Sequence, residues 1–149
     1  MKSTDLLKKK SIWFRLISLS DKALTVQDVM KYSKGDVKPD EICKTIIVKD
    51  EQDNFHALFL LGSDRIDFGK VRTAIGKVRI ASPEEVKNVS GVEAGAVCPL
   101  LLAIPTIIDK KVFSKEKINF GSGDHLNGIE MKTEDLDKVI KFDVEEISQ

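Results

Sequence analysis

The chain has 149 residues, with 24 basic side chains balanced by 24 acidic ones and a hydrophobic fraction of 42%; this composition fits one globular domain with a sizeable core and excludes disorder. The most apolar stretch, residues 94–108, contains two prolines and is too short to span a membrane, and the first ten residues lack the apolar segment of a secretory signal. Zero net charge also argues against a protein that holds nucleic acid by charge alone, so we expect one cytoplasmic domain over residues 1–149, without a membrane or DNA partner.

In the first half of the chain, helix caps and β-branched runs predict short helices and strands. Thr25, with Asp28 three residues later, has the pattern of a capping box that opens a helix. The β-branched run 44–48, the polar turn 50–54 and the apolar run 55–61 predict a hairpin with a longer loop. In chain order we predict helix 5–10, strand 13–19, a helix from the Thr25 cap to residue 32, a helical turn at 39–41, and strands 44–48 and 55–61.

The second half contains the clearest helix start of the chain. Ser82 is a typical N-cap, Pro83 suits the first helical position, and Glu85 completes a capping box. The predicted elements are helix 67–74 ended by Gly76, strand 78–81, a short helix from 83, an aperiodic loop 91–99, apolar strand material over 100–108 broken by Pro105, strands 117–120 and 128–131, and a last helix 133–141. Because strands and helices do not alternate strictly, we expect a mixed sheet with packed helices, an α+β fold within the broad α/β class.

Lys44 is the first residue that points to chemistry. On a strand it would share one face with Ile46 and Val48, while Thr45 would point to the other face. A lysine at the mouth of a strand can project over a cleft and offer a compact positive charge to a phosphate or a polar ligand group. The alternative is a surface lysine that extends from an edge strand.

The loop from Gly91 to Pro99 is the second feature. Its glycines, Gly91 and Gly95, let the backbone approach a ligand closely, and exposed N–H groups can hold an oxyanion; the alternative is an ordinary connecting loop. Cys98 has no paired base in the sequence, which disfavours a thiol nucleophile. Since Cys43 and Cys98 form neither a CxxC motif nor a zinc ligand set, we expect no metal and no cofactor.

The turn from Gly121 to His125 is the third feature. A glycine-bearing turn can direct a polar side chain such as His125 into a cleft, and turn structure alone is the alternative. The other histidine, His56, stands at the start of a predicted strand, and we interpret it as structural.

Taken in order, these segments resemble the YbaK/ProX family of aminoacyl-tRNA deacylases, which includes the editing domain inserted in bacterial prolyl-tRNA synthetases. The resemblance runs from about residue 6 to residue 140, and the order and spacing of its motifs are more specific than any one of them. The motifs are Glu41-Ile-Cys-Lys-Thr45, Asp64-Arg-Ile-Asp67, Ala81-Ser-Pro-Glu-Glu-Val86, Ser90 to Pro99, Ile104-Pro-Thr-Ile-Ile-Asp109, Gly121-Ser-Gly123 and Thr133-Glu-Asp-Leu136.

The resemblance implies a single domain with a central, partly barrel-like mixed sheet surrounded by helices. It also implies an enzyme that hydrolyses the ester of a small amino acid, Ala, Cys or Ser, wrongly attached to tRNA, with tRNA for proline as the expected carrier. The implied partners are the acceptor end of that tRNA and an aminoacyl-tRNA synthetase. Residues 1–49 carry 11 basic and 6 acidic side chains, a modest excess that suits a grip on the acceptor end only.

The resemblance further implies roles for single residues. Lys44 matches a functionally important lysine and would anchor the substrate end. Gly95 to Pro99 matches a GxxxP loop, whose N–H groups, with that of Gly95 among them, would hold the ester carbonyl oxygen while a water attacks. The substrate-binding residues expected beside these two are Thr45, Ala96, Val97, Cys98, Pro99, Asp124 and His125. Ala96, Cys98 and Leu100 depart from the residues common in the family, which bears on the shape of the amino-acid pocket.

Two other functions remain open from the sequence. A non-catalytic module of the same fold would bind tRNA or a synthetase without turnover, and a thiol enzyme would depend on Cys98. Retention of Lys44 together with the GxxxP loop favours the deacylase.

Overall fold

Two β-sheets form the centre of the structure, a computed structural model that describes residues 1–149. The first sheet is antiparallel and has the strand order β2 (Ser33–Lys34), β1 (Phe14–Leu19), β8 (Asn127–Lys132), β7 (Lys117–Gly121). The second has the order β5 (Val78–Ile80), β3 (Cys43–Asp50), β4 (Phe55–Leu61), β6 (Thr106–Asp109), β9 (Asp143–Glu145). It is mixed, because β6 runs parallel to both of its neighbours.

The sheets meet at one isolated parallel bridge between Ile42 and Asn119, which we call the seam. Ile42 directly precedes β3, and Asn119 lies on the edge strand β7. The mixed α+β class is therefore confirmed. The central sheet consists of two sheets that touch at the seam, and they do not close into a barrel.

Short helices surround the sheets. The α-helices are α1 (Lys2–Lys9), α2 (Val26–Tyr32), α3 (Phe68–Ile75) and α4 (Pro83–Ser90), and the 3-10 helices cover Pro39–Glu41, Ala94–Ala96, Pro99–Leu101, Lys110–Ser114 and Thr133–Lys138. None of these helices combines the length and the apolar character needed to cross a bilayer.

The main hydrophobic core packs on one face of the first sheet. Its largest members include Phe59, Ile118, Phe120, Ile129 and Met131. The rings of Phe59 and Phe120 meet edge to face with centroids 5.7 Å apart, a geometry that adds about 0.5–1.5 kcal/mol beyond the area buried. Because successive strand residues point to opposite faces, Asn119 and Gly121 of β7 point away from this core.

The hairpin of β3 and β4 confirms the prediction for residues 44–61. Asp50 closes its turn, accepting hydrogen bonds from the N–H groups of Gln52 and Asn54 at 2.9 Å each. Its carboxylate lies 2.8 Å from Nε2 of His56, and this contact, together with the backbone bonds, lowers the pKa of Asp50. His56 is therefore a structural residue of the hairpin, as interpreted from the sequence.

The capping box at the start of α4 is also confirmed. Ser82 Oγ accepts from the N–H of Glu85 at 3.2 Å, and the Glu85 carboxylate accepts from the N–H of Ser82 at 2.9 Å. The guanidinium of Arg79 donates to both oxygens of Glu85, at 2.7 and 3.0 Å, and Lys49 lies 3.4 Å away. Glu85 thereby ties α4 to β5 and β3, and the Arg79 guanidinium is the main reason why the pKa of Glu85 lies well below its usual range.

Several elements differ from the predictions, chiefly in the second half of the chain. Within residues 100–108 only the buried segment at Thr106–Asp109 forms a strand, whereas a 3-10 helix occupies Pro99–Leu101 and Leu101, Ala103 and Pro105 are exposed. The last predicted helix is a 3-10 helix over Thr133–Lys138 without a side-chain cap. Strand β9 was not predicted, because its residues are exposed and it pairs only through its backbone with β6.

The variant Glu85→Gln should be less stable than the parent protein at neutral pH. A carboxylate whose pKa is lowered in the folded state stabilises the fold above its unfolded pKa, near 4.3, and this contribution is lost as the pH falls below that value. The difference in free energy of unfolding, measured by urea denaturation, should therefore shrink between pH 7 and pH 3. Glu84→Gln, in the same helical turn, is the control and should differ little from the parent at either pH. A deficit of Glu85→Gln that did not change with pH would contradict this account.

Candidate functional site

A cavity of about 530 Å³ opens beside the seam, and both sheets contribute to its lining. Cavities of this size enclose small ligands in other proteins. Of the residues predicted for the site, those that line the cavity are Lys44, Thr45, Gly95, Val97, Asp124 and His125. Ala96, Cys98 and Pro99 are buried and do not line it.

Lys44 enters the cavity from β3 and is half-buried. Its ammonium donates to the backbone carbonyl oxygens of Gly62 at 3.2 Å and Asp64 at 2.5 Å. Burial lowers the pKa of Lys44, and the nearby negative charge of Asp64 opposes this effect. An ammonium group has three N–H donors, so these two bonds leave one donor for a ligand.

Gly62 allows the loop after β4 to approach β3 closely. Its N–H donates to the carbonyl of Ile42 at 2.6 Å. A Cβ atom at this position would lie 2.9 Å from the same carbonyl oxygen and 2.5 Å from Cγ2 of Val26. The absence of a side chain at Gly62 is thus what brings an acceptor within reach of the Lys44 ammonium.

The loop that holds Lys44 is tied to the C-terminal segment. The N–H of Asp67 donates to the carbonyl of Ile147 at 2.8 Å, and the N–H of Gln149 donates to that of Arg65 at 2.9 Å. Asp109, only 1% exposed, accepts from the N–H of Ile147 at 2.9 Å. The position of this loop therefore depends on its hydrogen bonds to the C-terminal segment 147–149, which does not line the cavity.

Gly95 forms the opposite wall within the 3-10 helix Ala94–Ala96. A Cβ atom here would overlap the carbonyl oxygen of Ala23 and lie 2.6 Å from Cα of Leu24, so two backbone segments meet where only glycine fits. The first N–H groups of a helix lack partners within it. Here the N–H of Ala96 donates to the carbonyl oxygen of Glu93 at 2.9 Å. The N–H groups of Ala94 and Gly95 have no acceptor within the helix.

The rest of the GxxxP loop supports this wall from beneath. The carbonyl of Ala96 accepts from the N–H of Gly123 at 2.8 Å, and a Cβ atom on Gly121 would lie 2.6 Å from the carbonyl oxygen of Val97. The loop and the 121–125 turn are therefore in direct backbone contact. Cys98 is 3% exposed, and burial raises the pKa of its thiol to about 12, so this sulfur is neither deprotonated nor in the cavity.

Asp124 and His125 reach the cavity from that turn. The turn is built by Ser122, whose hydroxyl donates to the carbonyl of Asn127 at 2.6 Å, and by the Asp124 carboxylate, which accepts from the N–H of Leu126 at 2.8 Å. Nδ1 of His125 is enclosed and has no hydrogen-bond partner. The position predicted for His125 at a cleft is thus observed.

Sequence reasoning missed two lining residues of chemical interest, Asp64 and Asn119. Each carries a buried side-chain atom without a hydrogen-bond partner, Oδ2 and Nδ2 respectively, as do Thr45 and His125. Leaving such a group unpaired costs about 1–3 kcal/mol, so a cluster of them around one cavity is typical of a binding site. Asn119 gave no signal because a single polar residue within an otherwise apolar strand reads as an ordinary strand position.

Comparison with known families identifies the chain. The family model of the aminoacyl-tRNA editing domain matches residues 21–139. This range includes the cavity residues Lys44, Gly95 and His125. The chain belongs to this family. The editing domain is accordingly a hydrolase that deacylates aminoacyl-tRNA.

Solved structures share the fold of this editing domain. The hypothetical protein APE2540 is 24% identical, with a TM-score of 0.87 and full coverage of both chains. A proposed trans-editing enzyme for prolyl-tRNA synthetase is 18% identical, with a TM-score of 0.81 and coverage of 98% of this chain and 94% of its own. A proposed signal transduction protein from Marinobacter aquaeolei VT8 is 18% identical, with a TM-score of 0.71, and its matching region is 30% of its length. A search of curated protein sequences gives no match.

Gly95→Ala should weaken both the fold and the activity of the editing domain. Its Cβ would clash with backbone atoms of Ala23 and Leu24, which cannot relieve the clash by a rotamer change. Overpacking of this kind lowers the free energy of unfolding by about 1–3 kcal/mol. Thermal unfolding and single-turnover deacylation would measure the two effects. Gly69→Ala is the matched control, since its Cβ meets only a side-chain oxygen of Asp67 at 3.2 Å. Parental stability in Gly95→Ala would contradict the close backbone approach.

Proposed function

We propose that this editing domain acts in trans, as one unit over residues 1–149, and hydrolyses the ester of a small amino acid, Ala, Cys or Ser, on tRNA for proline. The observation that carries the proposal is that one cavity is lined by Lys44, by Gly95 and Val97 of the GxxxP loop, and by His125. Its volume would admit the aminoacyl end of a tRNA but not the acceptor helix. The proline carrier is supported by the structural relative that is proposed to be a trans-editing enzyme for prolyl-tRNA synthetase.

Lys44 would anchor the substrate rather than act as a base. Two backbone carbonyls accept hydrogen bonds from its nitrogen, and such acceptors favour the charged ammonium. The remaining N–H would bind the aminoacyl group or the terminal phosphate of the tRNA. Fixing the ester in this way converts attack by a nearby water into an oriented reaction, which is a large part of many enzymatic rate enhancements.

Backbone N–H groups of Ala94 and Gly95 would hold the ester carbonyl oxygen. As the oxygen of water bonds to the carbonyl carbon, negative charge develops on that oxygen, and oriented N–H groups stabilise it. The bond from carbon to the ribose oxygen then breaks, one proton of the attacking water passes to the ribose oxygen and the other to solvent, and the amino acid leaves as its carboxylate. A neighbouring ribose hydroxyl would help to orient the water.

The other predicted residues would shape the pocket. Thr45, Val97, Asp124 and His125 would contact the substrate, while Ala96, Cys98 and Pro99 would support the wall from beneath. Exclusion of a bulkier amino acid by clash is a stronger device than the loss of one methylene contact, which is worth only about 1–3 kcal/mol. An aminoacyl-tRNA synthetase would be the partner that supplies the remaining affinity for the tRNA.

Lys44→Met should reduce kcat/KM at least about 100-fold, the scale expected when one oriented polar contact to the reacting group is lost. Because burial lowers the pKa of Lys44, the positive charge of Lys44 destabilises the folded state at neutral pH. Removal of this charge in Lys44→Met should therefore not lower the melting temperature. Single-turnover hydrolysis of tRNA for proline charged with Ala, Cys or Ser would measure the effect.

The control for this variant is Lys77→Met, which removes an exposed lysine outside the cavity and should deacylate like the parent. If the parent protein hydrolyses none of the three esters faster than buffer does, the proposed deacylase activity is wrong. That result would favour a non-catalytic tRNA-binding module. Full activity in Lys44→Met would contradict the proposed role of Lys44 in substrate binding.

Cys98→Ser should keep its deacylation rate within about threefold of the parent. The thiol is buried, its pKa is raised to about 12, and it does not line the cavity, so it lacks the thiolate character that nucleophilic cysteines need. The measurement is the same single-turnover assay, with thermal unfolding to show that the variant is folded. Abolished activity in a folded Cys98→Ser would establish the thiol enzyme instead.

A further inference from the structure

The position of Asn119 in the first sheet is unusual for a polar residue. Its neighbours on β7, Ile118 and Phe120, point into the main core. Asn119 points to the opposite face, lines the cavity and is only 3% exposed. An amide has thus been placed at the floor of the cavity, in a strand whose adjacent residues are apolar.

The surroundings of Asn119 within the cavity are apolar or small. Residues on the same face of the first sheet that also line the cavity are Ile17, Leu19, Gly121 and Gly128. Gly128 adds no side chain on this face, the position in front of Gly121 is filled by the carbonyl oxygen of Val97, and the isoleucine and leucine offer no hydrogen bonds. A polar group on a ligand that reached this part of the cavity would therefore meet the amide of Asn119.

The amide is not engaged by the protein. Nδ2 of Asn119 is buried and has no hydrogen-bond partner. The adjacent carboxylate across the strand pair, Glu130, is instead bound by Arg15 at 2.7 Å. Buried side-chain polar atoms in native proteins are nearly always paired, so the amide of Asn119 is a hydrogen-bonding group in the cavity lining that the protein itself does not use.

We propose that Asn119 recognises a hydroxyl group on the side chain of the amino acid to be removed, so that the seryl ester is the preferred substrate among small amino acids. This inference rests on the proposed deacylase function. A hydroxyl both donates and accepts, and an amide offers an N–H or an oxygen after a half turn of its terminal bond, so the pair fits in either orientation. A thiol bonds more weakly, and the methyl group of alanine does not bond at all.

Thr45 gives independent support for a polar pocket floor. Its hydroxyl is likewise buried, unpaired and part of the cavity lining. Thr45 lies on β3, whose preceding residue Ile42 forms the seam with Asn119. Two unpaired polar groups, one from each sheet, thus belong to the lining of the same cavity.

The experiment compares single-turnover hydrolysis of seryl- and alanyl-tRNA by the parent protein, Asn119→Leu and Asn119→Ala. A site that bonds a substrate hydroxyl discriminates strongly against an analogue that lacks it. We expect the parent to favour the seryl ester by about tenfold or more. In both variants this ratio should fall about tenfold, through loss of the seryl rate while the alanyl rate changes little. Asn119→Ala keeps the test valid if the larger leucine prevents folding.

The matched control is Thr133→Val. Like the amide of Asn119, the hydroxyl of Thr133 is buried and has no hydrogen-bond partner, but it lies outside the cavity. This variant should leave the ratio unchanged even if it alters thermal stability. Equal seryl and alanyl rates in the parent, or equal loss of both rates in the Asn119 variants, would overturn the inference while the deacylase function stands. Failure of the parent to hydrolyse either ester would overturn the deacylase function and the inference with it.

Discussion

The site depends on how the ammonium of Lys44 is kept charged after it leaves bulk water. Taking a cation into a half-buried position is unfavourable, and the lowered pKa of Lys44 reflects that cost. The carbonyls of Gly62 and Asp64 offset part of it by accepting two hydrogen bonds. These carbonyls are available only because Gly62 lets the loop approach β3 and because the C-terminal segment holds the same loop from the other side.

Local sequence signals predicted much of the secondary structure. They did not predict which strands pair when those strands are far apart in the sequence. The Ser82 capping box and the hairpin after Lys44 were found because their stabilising contacts join residues that are close in sequence. Strand β9 was missed because its exposed residues carry no apolar alternation and only its backbone pairs with β6. The partition into two sheets was missed because the strand order is set by contacts between distant segments.

The site shows the same division. Lys44, Gly95 and His125 could be predicted because the order and spacing of the segments around them resemble the motifs of the family, and one cavity brings them together. Ala96, Cys98 and Pro99 were placed with them by sequence proximity, but the chain turns there and they are buried behind the wall. Asn119 became visible only when the strand parity of β7 showed which face carries the core and which faces the cavity.

The contacts of Gly95 and Gly121 have a consequence for how relatives of this protein diverge. At both positions the nearest atoms belong to the main chain of another segment, so the walls are set by peptide geometry and not by side-chain volume. Mutations that exchange side chains on the cavity floor can therefore alter which ester fits without displacing the groups that would polarise it. Such an architecture permits selectivity to evolve independently of hydrolytic competence.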